Sequence, residues 1–236
     1  MIGQRIQLKR GARDEAEKPF WISFADLMTA LMVLFLVVMG VALLAVTKTV
    51  SERERKEMEH RQDIESVLDR FVKAADRYQG IKVDRDRRVI DFGDRARFGF
   101  AKSTLSEEQE AVLRLFVPEI ISIANDELGR RVLKRIVVEG YTDKKGSYLS
   151  NLDLSLQRSQ RVLCAMFATA GANQLSEAAK EQVRALFLVG GYSFNATKDT
   201  DEESRRVEMR LEFLGIDESR GAAPPPASDF GSCALR

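Results

Sequence analysis

The sequence predicts a single N-terminal transmembrane helix followed by an α+β domain, a mixed sheet with helices packed on it. Three observations carry that prediction. Residues 20–46 form a run of 27 residues with no Lys, Arg or Glu and a single Asp. Residues 47–79 contain no Pro or Gly and place opposite charges at helical spacing. From residue 80 onward, short alternating strands exchange with amphipathic helices.

Composition bounds the chemistry. Lys plus Arg is 37 and Asp plus Glu is 36, a net charge of +1. That balance argues against recognition driven by bulk positive charge, so no direct nucleic-acid binding is expected. The one histidine, His60, excludes a multi-histidine metal site and leaves no Ser-His-Asp set. The two cysteines, Cys164 and Cys233, are too few for a disulfide framework or a thiolate zinc site. The reading is therefore of a protein that is not an enzyme, with no metal and no cofactor.

The first element is the apolar run. At 1.5 Å per residue a helix of this length reaches about 40 Å, enough for a hydrocarbon core of roughly 30 Å. It is apolar on all sides, with Phe20 and Trp21 where an aromatic anchor belongs. A cleaved signal peptide would have an apolar region of only about 7–15 residues. Orientation is not decided by charge: residues 1–19 and 47–65 each carry five Lys or Arg. The short tail before the helix, 1–19, is compatible with a cytoplasmic N-terminus and an exported C-terminal part.

Asp26 interrupts this run about 9 Å from its start. An Asp at mid-helix costs roughly 2.5–3.5 kcal/mol, and 15 Leu, Ile, Val and Phe return about 0.3–0.6 kcal/mol each. Insertion stays favourable in spite of the Asp. A carboxyl in such a place is neutral when dry and ionised when water or a cation reaches it, which is what a proton relay needs. Thr29 follows at i+3, with small Ala25 and Ala30 beside it.

The connector, 47–79, reads as a helix leaving the membrane, with Glu52–Lys56 and Glu57–Arg61 at i,i+4. Apolar residues from Met58 to Tyr78 return every three to four positions; this edge suits either a second copy of the chain or the following domain. Gly80 ends it, and His60 in its charged part reads as solvated. In the domain, 80–214, strands are expected at 88–92, 132–140, 187–190 and 206–213. Ser106, with Gln109 three residues on, caps a helix that Pro118 kinks and Gly129 stops. Further helices are expected at about 152–170 and 176–186. Cys164 reads as a core residue, and no pairing with Cys233 is expected. The tail, 215–236, contains Pro224, Pro225 and Pro226 and reads as disordered.

Two groups of residues carry a resemblance. Phe24-Ala25-Asp26-Leu27-Met28-Thr29-Ala30 looks like the membrane segment of MotB-type subunits of ion-driven stator motors, whose ion-binding Asp maps onto Asp26. Val138-Glu139-Gly140-Tyr141-Thr142-Asp143, then Asn151-x-x-Leu154-Ser155-x-x-Arg158, then Ser204-Arg205-Arg206-Val207-Glu208 resemble the OmpA-like peptidoglycan-binding domain. Together they span about 19–213. Tyr141 stands where that family usually has His, and Ser204 where it has Asn. Within this class the run Asp14 to Ser23 and the short charged connector are most similar to the MotB-like subunit, ZorB, of Zorya anti-phage defence systems.

The resemblance implies a subunit of the bacterial inner membrane with its C-terminal domain in the periplasm. It implies a homodimer within a ring of MotA-like (ZorA) subunits, anchored to peptidoglycan and driven by ion flow through Asp26 and Thr29. A proton is preferred to sodium, because a lone carboxyl suffices for it. Wall stem peptides contain a residue such as meso-diaminopimelate, with both carboxylate and ammonium. Asp143 can pair with the ammonium and Arg158 can grip the carboxylate through two parallel bonds. By resemblance Thr142, Asn151 and Leu154 line the same pocket, with Arg206 as a second base. The alternatives are a flagellar stator subunit of the same mechanism and a passive OmpA-like wall tether without ion flow.

Overall fold

The computed structural model of the chain describes residues 18–222, 225 and 229–233. The first 17 residues of the expected cytoplasmic tail lie outside it. The described chain divides at residue 56 into two units, and each is treated by itself.

The first unit is the leading part of α1, Lys18–Ala75, a helix that carries both the apolar run and the connector. Its apolar side chains from Trp21 to Val46 are exposed all round among the described residues. By length and composition this stretch can cross a membrane.

In the second unit the last turns of α1 contribute Ile64, Val67, Leu68, Phe71, Ala74 and Ala75 to the core. The spacing is one helical stripe, and it answers the open question of the connector: its apolar edge packs on the domain. Asp63 pairs with Arg131 at 3.1 Å and Asp69 with Arg85 at 2.5 Å along the flanks. His60 is not solvated as expected. It is half-buried, its Nε2 2.9 Å from the Leu214 carbonyl oxygen, because the end of the domain runs beside that helical turn. α1 ends five residues before Gly80, which serves the following turn at φ +90°.

The sheet has five strands: β1 (Lys82–Asp84), β2 (Val89–Asp91), β3 (Leu133–Gly140), β4 (Phe187–Gly191) and β5 (Val207–Phe213). Their order is β1-β2-β5-β3-β4, so the last strand lies at the centre. β3 and β4 are parallel and the other pairs antiparallel. β1 was not foreseen; three residues are too few for alternation to show.

α2 (Glu107–Asn125) starts with the expected capping box between Ser106 and Gln109 and runs through Pro118 undivided. The break comes at Asp126. Its carboxylate accepts the Gly129 amide at 2.6 Å and starts α3 (Glu127–Val132), so Gly129 lies inside a helix instead of stopping one. α4 (Tyr148–Phe167) begins one turn earlier than expected, because Ser147 supplies the cap by accepting the Ser150 amide. α5 (Glu177–Leu186) precedes β4, and a single turn, α6 (Asp201–Ser204), precedes β5.

One sheet face presents Ile136, Val138, Met209, Leu211 and Ile90 to the helices. The other carries a row of carboxylates, Asp91, Glu208 and Glu139, on three neighbouring strands. Arg87 and Arg206 hold Glu208, and Arg210 holds Glu139 through two bonds of 2.6 and 2.9 Å. Lys198 reaches Asp91. Burial pushes the Glu208 carboxyl up, but the two guanidinium groups outweigh it and hold the group below its ordinary range.

One expectation about the tail is corrected. Cys164 and Cys233 form a disulfide, and of the described tail residues Arg220 and Phe230 are half-buried against the domain. Arg220 donates to the carbonyls of Leu133 and Ala124, and Phe230 meets the Phe167 ring at 4.9 Å. Low hydrophobicity marks the tail as unable to fold alone. It does not exclude a strap held by a covalent link and backbone acceptors.

Candidate functional site

Two places gather the singled-out residues. The first is on α1. Asp26 lies on the exposed surface of the apolar run. Thr29 Oγ1 donates to the Ala25 carbonyl and lies 3.2 Å from that of Asp26. Its proton is therefore directed along the helix backbone, which leaves an oxygen lone pair on the side chain for an external partner.

The second is a cleft of about 140 Å³ in the domain, lined by Phe100, Ala101, Thr142, Asp143, Lys145, Ser150, Asn151, Leu154 and Arg158. Its walls are the loop after β3, the first turns of α4 and the segment before α2. The close seating of α4 depends on two glycines. A Cβ on Gly140 would lie 1.8 Å from the Ser155 carbonyl oxygen, and one on Gly191 would lie 2.7 Å from Ser155 Oγ. Only glycine lets both strand ends approach the helix that carries Asn151 and Arg158.

Arg158 is fully buried. Its Nε donates to Lys102 O at 3.0 Å, Nη1 to Tyr141 O at 2.6 Å and Nη2 to Gly99 O at 3.2 Å. One guanidinium thus ties together all three walls. Burial pushes its pKa down to about 10, so it remains charged at neutral pH. Three of its five N–H groups are engaged by backbone carbonyls.

Asp143 is buried beside it. Its Oδ1 accepts the Lys145 amide at 3.1 Å and its Oδ2 accepts Arg205 Nη1 at 3.0 Å. Arg205 also donates to the Phe98 carbonyl and to Glu202. Two buried guanidiniums thus flank the Asp143 carboxylate, and Arg205 is shared between it and Glu202. Each Asp143 oxygen keeps a second lone pair for a ligand cation. Asn151 donates to Lys145 O at 2.9 Å and Ser147 O at 3.1 Å and so shapes the loop, while Leu154 supplies half-buried apolar wall.

Thr142 is buried, and its Oγ1 is the one buried side-chain polar atom among the described residues without a hydrogen-bond partner in the protein. A buried hydroxyl left without a partner costs about 1–3 kcal/mol. Thr142 lies on the cleft wall.

Arg206 is not among the cleft-lining residues. Its Nε donates to Glu208 at 2.8 Å, and its guanidinium lies 4.2 Å over the Tyr141 ring. Strand alternation accounts for this: Arg206 shares a face with Glu208, two residues on, and Arg205 points the other way. That signal was present in the sequence and would have selected Arg205. Tyr141 itself projects from the cleft to the charged face, its OH donating to Glu139 at 2.6 Å. Its carbonyl accepts from Arg158, and its side chain is not part of the cleft lining.

Comparison with known proteins places these features in context. Residues 97–207 match the family model described as OmpA family, and residues 5–60 match that described as membrane MotB of proton-channel complex MotA/MotB. The chain is 42% identical over 242 residues to Zorya protein ZorB of Escherichia coli O139:H28 (strain E24377A / ETEC), spanning 100% of this chain and 98% of that protein. Among solved structures, a putative MotB like protein from Desulfovibrio vulgaris is 21% identical, covering 68% of this chain and 97% of its own, with a TM-score of 0.40. The periplasmic domain of Helicobacter pylori MotB is 16% identical, covering 55% and 84%, with a TM-score of 0.38.

Proposed function

Because the chain belongs to the ZorB family of MotB-like proteins with an OmpA-like domain, we propose that it is the peptidoglycan-anchored subunit of a proton-driven motor complex in anti-phage defence. The domain holds the wall, and the membrane helix carries protons past a MotA-like partner ring, as one of two copies. The observation that carries this reading is the cleft: Asp143, Arg158 and the partnerless Thr142 hydroxyl converge in it, as a stem-peptide residue with both charges requires.

Asp26 supports the other half. It is a lone acid in a stretch whose side chains are exposed among the described residues. A static tether gains nothing from a carboxyl there, whereas a carrier needs one group that alternates between charged and neutral. The protein holds the proton at the Asp26 carboxyl, and Thr29 offers an oxygen one turn away. The Cys164–Cys233 disulfide supports a periplasmic domain, since such bonds persist in oxidising compartments. It supplies the orientation argument that the tied positive charges could not.

The test is Asp26→Asn, which keeps size and removes charging. Loss of phage protection with membrane assembly and wall pull-down retained is the expected result. Normal protection by that variant would exclude the carrier role.

A further inference from the structure

The cleft is small. At about 140 Å³ it lies well below the 300–1,000 Å³ of pockets that enclose a whole small molecule. A wall polymer seated in it must continue over the rim, so the chemistry of the rim selects the adjoining part of that polymer.

That rim combines apolar side chains with Lys145, whose Nζ lies 5.8 Å over the Phe100 ring. Tyr148 and Leu149 open α4 directly before the lining residues Ser150 and Asn151, and they are 45% and 73% exposed. Phe100, on the cleft wall itself, is 60% exposed. Single exposed apolar residues need no explanation, but an exposed Phe on the cleft wall with two more directly before its lining residues does. Tyr148 sits at i,i+3 to Asn151 and so continues the helix stripe that leads to Arg158.

The Tyr148 ring is held in place. Its OH accepts from Asn195 Nδ2 at 3.3 Å, and its ring meets Phe194 edge-on at 5.6 Å. Its carbonyl accepts Ser193 Oγ at 3.1 Å, while the Ser193 amide donates to Ser155 Oγ at 3.0 Å. A fixed, half-exposed aromatic ring beside an amide offers an apolar platform with hydrogen-bonding groups at its edge. That combination fits a pyranose, which has an apolar C–H face and a rim of hydroxyl and acetamido groups. Because the ring is already ordered, little conformational entropy is lost on contact.

We propose that Tyr148, with Phe100 on the cleft wall, is a sugar-stacking rim that takes the glycan strand of the wall next to the stem peptide held in the cleft. The proposal rests on the reading of the cleft as a wall-peptide site and names its second subsite.

The experiment is calorimetry on the full-length chain in detergent with two probes: a stem tripeptide ending in meso-diaminopimelate, and the same tripeptide carrying its disaccharide. The native chain is expected to bind the disaccharide-peptide about fivefold more tightly than the peptide. Tyr148→Ala should abolish that difference and leave the peptide affinity unchanged. Tyr148→Phe, which keeps the ring, should retain most of it. Equal affinities in the native chain overturn the rim and leave the cleft reading standing. The rim is also overturned if Tyr148→Ala weakens the peptide as much as the disaccharide-peptide, since the residue would then serve only the fold. Failure of the native chain to bind either probe removes the cleft reading and the rim with it.

Discussion

Replacing Thr142 by Val separates stability from binding. The two side chains have nearly the same shape, but Val removes a hydroxyl that is buried without a partner in the protein. Relieving that unpaired group returns about 1–3 kcal/mol. In a domain of this size each kcal/mol raises Tm by roughly 2–4 °C, so the variant should melt about 2–12 °C higher. Binding should move the opposite way. A single neutral hydrogen bond to a ligand is worth about 0.5–1.5 kcal/mol, and its loss weakens peptidoglycan binding about two- to twelvefold. Thermal unfolding followed by circular dichroism and quantitative wall pull-down read the two effects on one preparation. A variant that is both less stable and unaltered in binding would refute the argument, since the hydroxyl would then be serving the fold.

Gly140→Ala should be strongly destabilising, by about 3 kcal/mol or more. Its Cβ would meet the Ser155 carbonyl at 1.8 Å and force α4 away from the sheet, so wall binding should fall in the same variant. Acid should unfold the domain through its outer carboxylates. Burial raises Asp91, but Lys198 and the Gly93 amide outweigh it, and Glu208 is likewise held low by Arg87 and Arg206. Groups lowered on folding stabilise the protein above their unfolded pKa, near 4, and that stability is lost as pH falls through the folded values. A Tm that is flat from pH 7 to about 5 and declines below 4 is expected; a Tm that rises on acidification would contradict the assignment. Cys233→Ser should cost about 2–4 kcal/mol, because the bridge closes a loop across a sequence separation of 69. Its Tm should match that of the native chain in reductant.

Much of the molecule is legible in the order of its residues. Apolar length alone specifies a helix able to span a membrane, and the isolated Asp26 stands out because charge in that setting is costly. Alternation located β2, β3, β4 and β5, and the Ser106 box marked the start of α2. Asp143 and Arg158, 15 residues apart, do meet in one cleft, since a strand-loop-helix unit brings such positions together locally.

What the sequence did not decide was who pairs with whom at long range. Arg205, not Arg206, reaches Asp143 across 62 residues, because it lies in the turn between α6 and β5, while Arg206 is drawn to Glu208. Arg158 proved to brace the fold as well as line the cleft, and the Thr142 hydroxyl proved to lack a partner. The tail was judged by its composition, yet Cys233 and Arg220 hold it to elements far upstream. Periodicity reports which face a residue occupies, since that is a property of the local backbone. The groups opposite that face depend on strand order and loop closure, and those exist only once the chain has folded.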